Sequence, residues 1–134
     1  LVSVTAVLIF IYLMTPKMQG SIYKIRNVTT QANMESIRVA IANYYKDTEQ
    51  WPQSLNNLMP KYFRRIPREF LSSIKGSSAF SVAKKESDLA SQRGPGLEGW
   101  IYGDFSKDES ARSSYVLLPR STTLSDKTGD TSSW

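Results

Sequence analysis

"IYKIRNVTTQANMESIRVAIANYYK", Ile22 to Lys46, is the stretch on which the fold turns. Ile22, Ile25, Val28, Ala32, Ile37, Ala40, Ile41 and Tyr44 recur in it mostly at three- and four-residue steps. That is the period of a helix with one apolar stripe. Lys24, Arg26, Glu35, Arg38 and Lys46 fall mostly between them, where a solvated face would lie. The spacing predicts an amphipathic helix that lays its stripe on another element.

Toward the N-terminus the one-sided pattern gives way to an apolar run, "LVSVTAVLIFIYLM" from Leu1 to Met14, which stops at Thr15-Pro16-Lys17. Roughly 14 residues at about 1.5 Å each reach ~21 Å. Crossing a hydrocarbon core of ~30 Å takes about 20 residues. The run is too short to span alone and too apolar for a surface helix. A secretory signal would carry basic residues in front and a small-residue cleavage site behind, and neither pattern is present. A buried core helix would need a large protein around it. The best fit is the remainder of a membrane helix whose first residues precede Leu1, in line with a chain that opens on Leu rather than Met. Pro16 removes a backbone donor and predicts a kink or local melting, and Gly20 is a weak point. Leu1 to about Lys46 therefore reads as one long helix in two halves.

Toward the C-terminus, Trp51-Pro52 ends that helix. Leu55, Leu58, Met59 and Tyr62 predict a short helical turn, and "RRIPREF" (64–70) a connector. "AFSVA" (79–83), "GWIYG" (99–103) and "SYVLL" (114–118) read as strands, aromatic and β-branched between Gly, Ser, Asp and Pro. The last two predict an antiparallel hairpin across Asp104 to Ser113, and "SQRGPGLEG" (91–99) a loop. A polar tail follows Pro119. The expected fold class is α+β, a long helix packed on a small antiparallel sheet. The segments are 1–16, the apolar helix tip; 17–50, the amphipathic half; and 51–134, a head forming one domain with 17–50. Tyr44, Tyr45 and Trp51 are expected to pack at the helix–sheet junction, with a ligand-stacking site as the alternative.

The 134 residues include no His and no Cys. Disulfides, thiol catalysis, the usual zinc ligand sets and His general bases are thereby excluded. An enzyme would need a Ser–Lys dyad, and no serine sits in a recognisable nucleophile turn, so no enzyme is expected. Mean hydropathy is -0.34 despite the apolar start, as in ordinary soluble protein beyond it. Net charge is +5 from 17 basic and 12 acidic residues. Lys61, Arg64, Arg65 and Arg68, with Lys75, Lys84 and Lys85, form a basic stretch relieved only by Glu69 before Glu86. It reads as a solvated face, a contact for acidic neighbours or lipid headgroups, or a phosphate-neutralising surface for DNA. "NVT" at Asn27 matches a glycosylation acceptor but falls within the predicted helix.

"ANMESIRVAIANYYKDTEQWPQSLNNLMPKYFRRIP" (32–67) resembles the type IV pilin superfamily, most closely the major pseudopilin of type II secretion systems. The likeness rests on the tyrosine-rich helix end at Tyr44-Tyr45, the Trp51-Pro52 step, Leu55 with Leu58, and the connector from Pro60 through Pro67. "GWIYGDF" (99–105) resembles a strand common in pilin-like heads. The resemblance covers roughly residues 1 to 70 with fair specificity, and the rest loosely. It implies a processed, N-methylated Phe or Met start, a Glu in the first turn and a proline matching Pro16, with roughly six residues before Leu1. About 20 apolar-rich positions would then precede Lys17, the spanning length. The chain departs from the family in having no acidic residue before Glu35. Lys17, Lys24 and Arg26 behind the span would face the cytoplasm by the positive-inside rule. The outward head is implied by the resemblance alone.

The function implied is that of a structural subunit of a pilus-like filament, a pilin or type II secretion pseudopilin serving protein transport. Its partners would be copies of itself, an inner-membrane assembly platform, a prepilin peptidase and membrane lipid before assembly. It would lie in the inner membrane with its head outside the cytoplasm, then in a cell-surface or periplasmic filament. Leu1, Val4, Val7, Leu8, Phe10, Ile11, Leu13, Met14 and Pro16 would pack the filament core, and Glu35 and Arg38 would pair between neighbours. Calcium is the candidate ion: Leu124, Ser125, Asp126, Asp130 and Ser132 offer oxygen ligands. The Asp130 to Trp134 spacing matches the loop in which major pseudopilins bind it, and a plain solvated turn is the alternative. The rival function is a membrane-anchored minor pilin-like module binding DNA or a secreted substrate through the basic stretch.

Overall fold

The computed structural model describes the backbone of residues 2–125 and 129–134, and the side chains of 3–9, 22–125 and 129–134. Helix α1 runs Val2–Thr48, 47 residues, or roughly 70 Å of axis at about 1.5 Å per residue. The helix runs through Pro16 and Gly20 as one element, without the local melting expected at the proline. The helix continues past Lys46 and stops at Glu49. That residue adopts a left-handed φ of 59° while its N–H bonds the Tyr45 carbonyl at 2.7 Å. It is the C-terminal stop that Gly or Asn usually supplies. Leu55–Leu58 then form one turn of 3₁₀ helix and bury both leucines, as the Leu-x-x-Leu spacing predicts.

A three-stranded sheet follows, β1 (Phe80–Val82), β2 (Trp100–Asp104) and β3 (Tyr115–Pro119), in that spatial order. β2 and β3 are antiparallel, with Ile101 opposite Leu118 and Gly103 opposite Val116, across the loop predicted for the hairpin. β1 corrects the expectation of an antiparallel sheet. It runs parallel to β2, with Phe80 opposite Trp100. The connector between them is not a simple loop. It carries helix α2 (Leu89–Gln92) and a bridge from Gly94 to Ser121. This detour returns the chain to enter β2 in β1's direction, as a parallel pair requires.

β2 is central and buried on both faces. Trp100 and Tyr102 join Met34, Ile37, Ala40 and Ile41 of α1, together with Leu55, Leu58, Ile66 and Leu117. On the opposite face Ile101 packs with Ala83 and Phe105, as two-residue strand alternation requires. The large buried aromatics satisfy their polar ends: Trp100 Nε1 donates to the Pro67 carbonyl and Tyr102 Oη to that of Pro52.

The buried stripe of α1 differs from the predicted one. Ile22, Ile25 and Val28 are more than half exposed, whereas Thr30 and Met34, outside the predicted stripe, are buried. Arg26 and Arg38 are half-buried rather than solvated. Arg38 is covered by β3 and the chain end, through the Leu117 and Trp134 carbonyls. For Arg26 and Thr30 the cause is the connector at Arg68 to Phe70, which crosses α1 with its backbone polar groups. Thr30 Oγ1 accepts from the Phe70 N–H, and Arg26 Nε and Asn33 Nδ2 donate to the Phe70 and Arg68 carbonyls. A polar stretch of helix is therefore buried because polar backbone lies on it. Glu69 completes the crossing. Fully buried, its carboxylate accepts hydrogen bonds from the N–H groups of Leu71, Ser72 and Gly99 and from Ser72 Oγ.

The segment after Pro119 is no free tail. Ser121 and Thr131 are buried, and Thr123 bridges to Asp130. Arg93 binds the Pro119 carbonyl at 3.0 Å and Thr131 Oγ1 at 2.7 Å.

Candidate functional site

The first part of α1 presents an apolar surface with no cover from the head. Val4, Val7, Leu8 and Ile9 are 55–62 % exposed. Ile22, Ile25 and Val28 form a second exposed apolar group, and Val39 is exposed farther along the helix. Scattered exposed apolar residues are normal, but groups of them gathered on one element mark a surface built to be covered. Of the residues expected to pack a filament core, Val4, Val7 and Leu8 are among these. Leu1 and the side chains of Phe10, Ile11, Leu13, Met14 and Pro16 lie outside the described set. Among the described residues no helix is long and apolar enough to cross a membrane.

Glu35 and Arg38, expected to pair between neighbours, meet within the chain. Arg38 Nη1 lies 3.0 Å from Glu35 Oε1. Its Nη2 donates to the carbonyls of Leu117 and Trp134, both at 3.0 Å. Arg38 thus ties α1 to β3 and to the end of the chain. Glu35 remains exposed and keeps capacity for a second partner.

The basic stretch divides. Lys61 Nζ sits 3.2 Å from Asp47 Oδ2, which also accepts from Tyr62 Oη at 2.5 Å. The Tyr62 hydrogen bond, then that of Lys61, holds the Asp47 carboxyl below its ordinary range and raises both donors. Arg68 Nη1 is engaged by the Lys75 carbonyl. Arg64 and Arg65 are exposed, and among the described residues neither side chain makes a hydrogen bond or ion pair. Asp47 thus offsets the charge of Lys61, whereas Arg68 keeps its charge and is exposed with Arg64 and Arg65.

In the C-terminal loop, Leu124 N–H bonds the Gly129 carbonyl, and Thr131 N–H that of Thr122. Ser125 faces away toward the helix, where its N–H and Oγ donate to Asn27 Oδ1 at 3.0 and 2.7 Å. Asn27, met in the sequence only as a glycosylation acceptor, is a pin for this loop. Asp130 Oδ1 accepts from Ser132 Oγ and N–H, which lowers its pKa. Asp126 lies outside the described residues. Among those described, no cluster of three or more His, Cys, Asp or Glu is gathered as for a metal. Calcium takes 6–8 oxygens. One half-engaged carboxylate and the Leu124 carbonyl fall short of that shell, so a fit depends on Asp126.

Tyr44 and Trp51 pack against the core as expected. Tyr45 does not: it is 42 % exposed and stacks on Trp51 at 4.3 Å. Adjacent helical residues leave the axis about 100° apart, so the stripe that carries Tyr44 toward the core turns Tyr45 away from it.

The chain matches no family model, and no curated protein or solved structure shows significant similarity to it.

Proposed function

We propose that this chain is a structural subunit of a helical filament of the type IV pilus or pseudopilus kind. The observation that carries the proposal is the division of α1. Its second half buries Met34, Ile37 and Ile41 on the sheet, while the first projects an uncovered apolar surface. Copies packing these projections together bury them in a central bundle and leave the heads outside. Apolar burial is worth about 25 cal/mol per Å², and lipid and protein supply similar apolar surroundings. Transfer from membrane to filament is then nearly neutral, and an assembly platform can drive it. Before assembly the subunit sits in the inner membrane with its head outside the cytoplasm. Calcium, if the loop takes it, clamps a tail that no disulfide can close.

The absence of cysteine allows a direct test. Thiols introduced as Val7→Cys and Ile25→Cys are compared with Lys107→Cys on the head, in polymer sheared from producing cells. The helix thiols are expected to resist maleimide in the polymer and to react in detergent-dispersed subunits, with Lys107→Cys reactive in both. Recovery of monomers only, with equal labelling throughout, rejects the filament. A second reading rests on the unpaired, exposed Arg64 and Arg65. Monomers that retain duplex DNA in a salt-sensitive manner, and lose it in an Arg64→Ala/Arg65→Ala variant, establish the anchored binding module instead.

A further inference from the structure

At the C-terminal end of α1 a cleft of about 620 Å³ opens between the helix terminus, the turn after it and the end of β2. That volume is within the ~300–1,000 Å³ of small-ligand sites. One wall is aromatic. Trp51 lies between Tyr45, at 4.3 Å, and Tyr115, at 5.0 Å, and Tyr45 and Trp51 both line the cleft. The outer member of the stack, Tyr45, is open to solvent.

The rest of the lining is polar. Glu49, Gln50, Gln53, Asn57 and Lys107 reach the cleft, as does Asp104, which binds Ser106. Among the described residues the side chains of Glu49, Gln50, Gln53 and Lys107 make no hydrogen bond or ion pair, and Asn57 uses only Oδ1, toward Ser54. Planar amides and carboxylates offer paired donors and acceptors. Glu49 is also the one non-glycine residue with positive φ among those described. A glycine would stop the helix there without strain. Glutamate instead brings a carboxylate to the rim, and backbone strain held at a cleft is a mark of function.

We propose that this cleft binds an oligosaccharide. A sugar ring presents an apolar C–H face suited to an aromatic plate and, around its edge, vicinal hydroxyls suited to planar amides and carboxylates. Phosphorylated ligands fit less well, because the cleft lining carries two carboxylates, Glu49 and Asp104, against one lysine, Lys107. The binding reads independently of filament formation.

The test uses the full chain in lauryldimethylamine oxide, a detergent without a sugar headgroup. Trp emission is titrated with cellotriose, maltotriose and chitotriose. Trp100 is fully buried and Trp134, which does not line the cleft, is replaced in a Trp134→Phe background, so that Trp51 reports on the cleft. At least one trisaccharide is expected to give a saturable change. Affinity should fall about tenfold in Asn57→Ala and in Gln53→Ala, the loss of one or two ligand hydrogen bonds, with unchanged melting. Glu49→Gly is expected to melt higher and bind more weakly, a split that a purely structural residue would not give. No saturable change with any of the three sugars, or equal affinity in the variants, overturns the proposal.

Discussion

Gly99 and Gly96 both have positive φ, 83° and 69°, yet they are not equivalent. A Cβ on Gly99 would meet the Ala79 carbonyl oxygen at 2.2 Å, at the mouth of the β1–β2 pair, while one on Gly96 would meet nothing within 4 Å. Gly99→Ala is therefore expected to cost on the order of 4 kcal/mol, from left-handed strain and displaced backbone together. Gly96→Ala should cost about 1–2 kcal/mol from strain alone. Urea unfolding of the two variants measures the difference. Asp47 supplies the pH dependence. Tyr62 and Lys61 depress its native carboxyl below the ordinary 3.8. Their contribution to stability is complete above that value and is lost as pH falls through the depressed native pKa. Carboxylate NMR titration should show Asp47 ionising at lower pH than a free aspartate, and Tyr62→Phe should move it back up.

At the scale of elements, the outer edge of β3 is closed by side chains. Its outward carbonyls at Tyr115, Leu117 and Pro119 accept from Ser113 Oγ, Arg38 Nη2 and Arg93 Nε, and Pro119 has no N–H to offer. Edge strands left open invite pairing with other chains. Arg38→Ala removes the cap on Leu117 and the link to Trp134. It is expected to destabilise the fold by about 2 kcal/mol and to raise aggregation, read by chemical denaturation and light scattering. No sequence pattern announces these caps, since Arg38 and Arg93 lie 79 and 26 residues from the carbonyls they serve. The strands themselves were legible because aromatic and β-branched residues between turn formers are a local signal. The parallel sense of β1 was not, because strand direction depends on the path of the 83–99 connector.

At the scale of the whole molecule, core and projection are separable. Among the described residues, every buried residue of α1 lies between Thr30 and Ile41, and the rest of the core lies beyond the helix. A chain lacking residues 1–20 is expected to unfold within about 0.5 kcal/mol of the full chain, as surface changes do. It should also stay monomeric without detergent and fail to enter polymer. A large loss of stability on truncation would place part of the core in the projecting segment. The saccharide cleft lies at the other end of α1, so the truncated chain should keep its sugar affinity.

The sequence by itself determined the long helix, the turn at Leu55 and Leu58, the three strands and the uniform apolarity of the first segment. Each of these is a local or periodic property, written in neighbouring residues. Tertiary structure alone decided which face of α1 is buried, the parallel pairing of β1, the burial of Glu69 and the joining of Asn27 to Ser125. Those outcomes depend on contacts between distant segments. A polar side chain is buried when backbone from elsewhere in the chain brings it a hydrogen-bond partner, and no local pattern records that meeting.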